Sequence, residues 1–120
     1  MSDFKDLKCW LHATELADLI YAKTRGFPKE EVFGLANQMR RCAVSVPSNI
    51  AEGAGRQHIK ENLHFLHIAR GSLYELETQT IIAHRQRFLT DEDYQKIEKK
   101  IEESRKVLSG YIAYKSGTKE

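Results

Sequence analysis

A chain of 120 residues with 41% apolar and 30% charged residues has the composition of a globular protein made of one domain, residues 1–120. Its 19 basic and 17 acidic residues give a formal net charge of only +2, so a nucleic-acid partner must be recognised by clustered cations rather than by overall charge. No stretch approaches the roughly 18 apolar residues of a membrane span, and the first residues lack the pattern of a signal peptide. We therefore expect a cytoplasmic protein, with Cys9 and Cys42 as buried, reduced thiols.

The first predicted helix covers about residues 4–24, where apolar side chains recur every three or four positions. Asp3 is the expected N-cap, and Asp6 is expected to complete a capping box. The run Arg25-Gly26-Phe27-Pro28 ends this helix, because glycine favours a helix C-terminus and proline cannot continue the helix.

The second predicted helix covers about residues 29–53 and contains Pro47. A proline inside a helix removes one backbone hydrogen bond and clashes with the preceding turn, at a cost of about 3 kcal/mol. Two arrangements follow: the helix ends near Val44 and restarts at Pro47, or it kinks and continues to about Gly53. The kink is favoured, because Ile50 and Ala51 continue the apolar stripe.

The third predicted helix covers about residues 57–87, and the fourth covers about 91–115 with Thr90 as its N-cap. The third helix has a heptad-like seam made of Ile59, Leu63, Leu66, Ala69, Leu73, Leu76, Thr80 and Ala83. Phe65, Ile68 and Ile82 widen its apolar arc, so this helix is either central or covered by another subunit. Four helices with short links predict an all-α, up-down-up-down four-helix bundle that self-associates.

The sequence offers little support for catalysis or for a bound metal or cofactor. Glu61, His64 and His67 share one helical face, but a bundle di-iron site needs two Glu-x-x-His motifs and only one is present. The glycines of Gly53-Ala54-Gly55-Arg56 suggest a phosphate loop, but no strand precedes them and no nucleotide fingerprint surrounds them. We predict no catalytic residue, no cofactor and no enzymatic activity.

Two other sets of residues are candidate sites. Gly71 interrupts the strongest helix, which predicts close approach of the Ser45–Gly53 segment. A polar network is expected to join the second and third helices there, with Glu52 and Arg56 as partners of Arg70 and Glu75. Its expected members are Asn49, Glu52, Arg70, Ser72 and Glu75.

The second set is basic. Arg40 and Arg41 precede the proline, and Arg56 and Lys60 follow it, so the four are expected to converge on one surface. Such clustering is what binding to a phosphate backbone requires, although aromatic residues for base stacking are not interleaved with these cations.

Three segments carry a resemblance to a known family: LANQMRR at residues 35–41, SVPSNIAEGAGR at 45–56 and FLHIARGSLYELET at 65–78. They resemble the four-helix bundle proteins encoded in bacterial 23S ribosomal RNA intervening sequences, which are sometimes labelled ribosomal proteins. The residues that match the family pattern are Arg40, Arg41, Asn49, Glu52, Gly53, Arg56, Arg70, Gly71, Ser72 and Glu75.

The resemblance implies a four-helix bundle assembled as a homopentamer. It also implies similarity to the accessory proteins of diversity-generating retroelements, which bind nucleic acid and reverse transcriptase through a basic surface. The leading hypothesis is therefore a non-enzymatic, self-associating bundle that binds RNA or an RNA–protein complex. The alternative is a protein-binding oligomeric scaffold with no nucleic-acid role.

Overall fold

The computed structural model describes residues 3–117, and all regular structure within that range is helical. Its α-helices are α1 (Lys8–Thr24), α2 (Leu35–Ala54), α3 (Ile59–Arg85) and α4 (Asp91–Ser116). Short 3-10 turns occupy Phe4–Asp6 and Lys29–Glu31. Among the described residues, no helix is both long enough and apolar enough to cross a membrane.

Neighbouring helices run in opposite directions. The links at residues 55–58 and 86–90 are too short to return the chain to the far end of the bundle, so α3 is antiparallel to α2 and α4 to α3. Lys23 at the end of α1 pairs with Asp93 at the start of α4, and Lys100 further along α4 pairs with Glu15 earlier in α1. Each helix packs on its sequence neighbours, and α1 also packs on α4. The predicted all-α four-helix bundle is confirmed.

The core lies along the bundle axis and is supplied by all four helices. Fully buried side chains include Leu16, Ile20, Met39, Ile50, Leu66, Leu73, Leu76, Ile97, Ile101 and Leu108. Burying one such side chain stabilises the fold by about 1.5–3 kcal/mol relative to leaving it exposed. Thr80 is buried among them, and its hydroxyl donates to the Leu76 carbonyl at 2.8 Å, so no polar group is left unpaired there.

Helix α2 begins at Leu35, so the predicted start at residue 29 is wrong. The middle of the connection between α1 and α2 forms a 3-10 turn at Lys29–Glu31 instead, and Gly34 has non-helical torsion angles of φ −102° and ψ −118°. The Glu31 carboxylate accepts the Leu35 N–H at 3.0 Å, which caps α2 from outside the helix. The helix then continues through Pro47 to Ala54, so the arrangement in which it ends near Val44 is also wrong.

The other helix ends differ less from the prediction. Asp3 accepts the Lys5 N–H at 2.8 Å and Asp6 accepts the Asp3 N–H at 3.3 Å, but this capping box closes a 3-10 turn and α1 starts at Lys8. Helix α3 ends at Arg85 rather than 87, because Arg87 has a left-handed φ of 65°. Thr90 caps α4 as predicted, accepting the Asp93 N–H at 3.1 Å.

Candidate interaction surface on helices α2 and α3

Helices α2 and α3 are joined by a small polar cluster at mid-height. The hydroxyls of Ser45 and Ser72 are hydrogen-bonded to each other, and the Cys42 thiol donates to the Ser72 carbonyl at 3.1 Å. Asn49 was predicted to join this network, but its side-chain amide donates to the Ser45 carbonyl at 2.8 Å, a hydrogen bond within α2. These hydrogen bonds hold α2 against α3 and involve only two serine side chains, one thiol and one backbone carbonyl.

The predicted pairing of Glu52 and Arg56 with Arg70 and Glu75 is wrong. Glu52 forms a 3.2 Å ion pair with Arg56, four residues further along the chain, and both side chains are exposed. Arg70 instead contacts Nδ1 of His67 at 3.1 Å on its own helix. Exposed carboxylates and guanidiniums remain hydrated, so no buried charge forces these residues to cross between the helices.

The close approach of the two helices occurs at Gly53, not at Gly71. A Cβ added at Gly53 would lie 2.9 Å from the Asn62 carbonyl oxygen and 3.1 Å from Cβ of Phe65. A Cβ added at Gly71 would meet nothing within 4 Å, and Gly71 is exposed. The sequence prediction that Gly71 receives α2 is therefore wrong, because Gly71 lies on the outside of α3.

Asn62 is a structural residue that the sequence prediction missed. It is only 4% exposed, and its side-chain amide donates to the Gly53 carbonyl at 2.7 Å. The Gly53 carbonyl, near the end of α2, also accepts the Arg56 N–H at 3.0 Å, so the Asn62 amide is a second donor that ties the end of α2 to α3. A signal was present, because Asn62 lies one turn before Leu66 on the apolar side of α3.

The four predicted cations do not converge on one surface. Arg40 is directed towards α1, where its Nε donates to the Thr24 hydroxyl at 2.8 Å and its guanidinium lies 5.0 Å from the Tyr21 ring centroid. Arg41 is exposed and lines a groove beside Glu75 on α3. Successive residues of a helix point about 100° apart, which puts Arg40 and Arg41 on different sides of α2.

The remaining two cations are at the far end of the bundle. Arg56 and Lys60 follow the end of α2, which lies about 20 Å along the helix axis from Arg41. The guanidinium of Arg56 lies 4.9 Å from the Phe65 ring centroid and is paired with Glu52, whereas Lys60 is exposed in the first turn of α3. The four cations therefore do not form the single basic patch that was predicted but lie in at least two separate places on the surface.

The groove between α2 and α3 has a volume of ≈ 340 Å³ and mixes polar groups with apolar surface. Arg41, Cys42, Ser45, Glu75 and Gln79 are among the residues that line it. Burial, and then the nearby negative charge of Glu75, raises the pKa of the Cys42 thiol to about 12. A thiol held in its protonated form is a poor nucleophile, so Cys42 acts as a hydrogen-bond donor rather than a reactive group.

Apolar side chains are exposed on the outside of the same two helices. Ile68 and Ile82 on α3 are 40% and 44% exposed, and Val44 on α2 is 40% exposed. We use "the outer face of α3" for Ile68, Gly71, Glu75 and Ile82, and "the outer face of α2" for Arg41 and Val44. Of the three residues predicted to widen the apolar arc of the third helix, Ile68 and Ile82 are on this outer face, whereas Phe65 is half-buried against Gly53 of α2.

On another side of α3, Glu77 of α3 and Glu98 of α4 form a carboxyl pair between the two helices. Burial, followed by the charge and hydrogen bond of Glu77, raises the pKa of Glu98 to about 7. The two carboxyl groups can share one proton, since like charges at short range disfavour double ionisation. In the described part of the chain, no group of three or more His, Cys, Asp or Glu side chains is placed to hold a metal ion, so the pair has no third ligand.

A family model described as 23S rRNA-intervening sequence protein matches residues 5–110. The match covers all of α1, α2 and α3 and most of α4. No curated protein matches the chain. The chain belongs to the 23S rRNA-intervening sequence protein family.

Proposed function

We propose that this member of the 23S rRNA-intervening sequence protein family is a non-enzymatic helical module that works as an assembly of identical chains. The observation that carries the proposal is the outer face of α3, where Ile68 and Ile82 remain 40% and 44% exposed although the helix also fills the core. Isolated exposed apolar residues are ordinary, but two on one helical face with a glycine between them favour a helix–helix contact.

Sedimentation velocity with light scattering, from about 1 to 100 µM protein, tests self-association. We expect a mass of several chains within that range. The same mass measurement decides whether the assembly has the five chains that the family resemblance implies. A single-chain mass at every concentration would refute the proposal.

RNA binding by this assembly is the second candidate function. The observation that favours it is that two basic side chains are exposed and belong to no ion pair. Arg41 and Lys60 are exposed, and among the described residues neither takes part in an ion pair. Arg40 and Arg56 already have partners in Thr24 and Glu52. Unneutralised cations repeated around an oligomer provide the clustering that one chain lacks.

A salt titration of RNA binding tests this second candidate. We expect affinity to fall as salt rises, and the slope of log K against log salt to drop by about 0.7–0.9 for each phosphate contact removed in Arg41→Ala and Lys60→Ala. The matched control is Lys106→Ala, because Lys106 is exposed but paired with Glu102 at 3.1 Å. Absence of binding at low salt would leave a protein-binding scaffold as the function.

A further inference from the structure

A second pocket lies at the end of the bundle where α2 ends and α3 begins, and we call it the end pocket. Its walls come from the 3-10 turn before α1, the link between α2 and α3, the first turn of α3 and the last turns of α4. Its volume of ≈ 340 Å³ is at the small end of the range for bound small molecules. Four segments that are distant in the sequence therefore enclose a space large enough for a small ligand.

Asn62 gives the end pocket a hydrogen-bond acceptor that the chain itself does not satisfy. This residue lines the pocket and is only 4% exposed, and its amide nitrogen donates to the Gly53 carbonyl at 2.7 Å. Its Oδ1 atom has no hydrogen-bond partner within residues 3–117. Because a buried acceptor without a donor is costly, this oxygen favours a ligand that carries an N–H or O–H group.

The start of α3 gives the same pocket an affinity for anions. Gln57 and Ile59 line the pocket at the N-terminus of this helix. His58 provides no side-chain cap there, and the first helical hydrogen bond runs from the Asn62 N–H to the His58 carbonyl at 3.0 Å. The N–H groups before Asn62 therefore lack a helical acceptor, and such groups together with the helix dipole attract phosphate.

Two basic side chains line the end pocket from different elements. Lys115 lies in the last turns of α4, and Arg56 lies in the link between α2 and α3. Among the described residues, Lys115 belongs to no ion pair. Arg56 pairs with Glu52 at 3.2 Å, but both side chains are exposed and such a pair is weak, so a phosphate can replace the carboxylate.

The remaining walls restrict what else the ligand contains. The carboxylate of Asp3 lines the pocket, and it repels a bare phosphate but accepts a hydrogen bond from a hydroxyl group. Phe4, Leu7 and Tyr111 are half-buried and add apolar surface. A ligand that matches these walls has an anionic end, hydroxyl or amino groups and an apolar body.

We propose that the end pocket binds a small phosphate ester of the nucleoside monophosphate class. The phosphate lies at the N-terminus of α3 between Arg56 and Lys115. A sugar hydroxyl donates to Asp3, and an N–H or O–H group of the ligand donates to Oδ1 of Asn62. The site does not depend on self-association, because its residues lie outside the outer faces of α2 and α3.

The first test is a titration of the full chain with adenosine monophosphate, followed by calorimetry and by amide chemical shifts. We expect a dissociation constant of about 10 µM to 1 mM. The shifts should be concentrated in residues 57–62 and 111–115. Adenosine and inorganic phosphate should each bind at least about tenfold more weakly, because each lacks part of the contacts.

The second test removes one cation. Lys115→Ala should weaken binding of adenosine monophosphate by at least about tenfold. The matched control is Lys106→Ala on the same helix, which should change binding less than about twofold because Lys106 is paired with Glu102 outside the pocket. Arg56→Ala serves as the second variant if thermal melts show that Lys115→Ala does not fold.

Three results would overturn the proposal. The first is no binding of adenosine monophosphate at about 5 mM. The second is equal affinity for inorganic phosphate, which would leave a simple anion site. The third is native affinity in the folded variants, or chemical shifts that change only outside the end pocket.

Discussion

Replacement of Gly53 by alanine is the most direct test of how α2 and α3 are held together. Gly53 is buried near the end of α2, and its missing side chain makes room for α3. The added Cβ would lie 2.9 Å from the Asn62 carbonyl oxygen, which is backbone and cannot move without shifting the first turns of α3. The same shift would stretch the 2.7 Å hydrogen bond from the Asn62 side chain to the Gly53 carbonyl.

The magnitude follows from three terms. Overpacking against backbone costs about 1–3 kcal/mol. Breaking the buried hydrogen bond from Asn62 costs about 1–3 kcal/mol more, because the buried Asn62 amide loses its acceptor while the Gly53 carbonyl keeps the Arg56 N–H. The higher helix propensity of alanine returns about 1 kcal/mol. The net loss in the free energy of unfolding is therefore about 3 kcal/mol, which lowers the melting temperature by about 10 °C for a chain of this size.

Thermal and urea unfolding followed by circular dichroism measure this loss, at one fixed protein concentration because association also stabilises. Gly110→Ala is the control: the new methyl group meets nothing within 4 Å, and we expect a gain of about 0.5–1 kcal/mol. The two substitutions make the same chemical change in two helices but should shift stability in opposite directions. A Gly53→Ala chain as stable as the native one would refute the close approach of α2 and α3 at this position.

Three further outcomes follow from single residues. Because the folded-state pKa of Glu98 is raised to about 7, the folded chain binds more protons than the unfolded chain between about pH 4.5 and 7. Stability should therefore fall by about 1–2 kcal/mol as pH rises across that interval, and urea unfolding should show this fall flattened in Glu98→Gln. Burial raises the pKa of Cys9 to about 11 and of Cys42 to about 12. A disulfide reagent at pH 8 should therefore label Cys9 about 100-fold and Cys42 about 1000-fold more slowly in the native chain than in urea, and equal rates would contradict their burial. Thr24→Val removes the hydroxyl that accepts from Arg40 and donates to the Ile20 carbonyl, and should cost about 1–2 kcal/mol in unfolding experiments; an unchanged stability would contradict the role of these bonds.

The bundle could be predicted from the sequence because apolar spacing is a local signal. The three- and four-residue steps from Ile59 to Ala83 predict the seam of the third helix, and its members from Leu66 to Ala83 are buried. The prediction is wrong at the start of the seam, where Leu63 is half-buried and Ile59 is 49% exposed. The start of α2 could not be predicted in the same way. Pro28 and the acidic residues after it have the composition of a helix N-terminus, but Glu31 caps Leu35 from a 3-10 turn instead.

The pairing of charged residues was beyond what the sequence could determine. The sequence prediction paired Glu52 and Arg56 with Arg70 and Glu75, but Glu52 pairs with Arg56 and Arg70 contacts His67. Exposed ion pairs differ from one another by less than about 1 kcal/mol, so side-chain rotamers and solvation decide among them rather than sequence spacing. Arg40 shows the same limit, because its place beside Thr24 depends on how α1 crosses α2.

The two helical glycines show why packing inside one chain is only part of what this sequence encodes. In sequence terms Gly53 and Gly71 each interrupt a helix at a similar cost in propensity. The fold accounts for Gly53, since Asn62 occupies the space that a side chain would need. It gives no reason for Gly71, where alanine would raise the stability of the single chain. A residue that weakens the helix without helping its own core fits a contact that forms only between chains, and the exposed isoleucines on either side of Gly71 supply the apolar surface which that contact would bury.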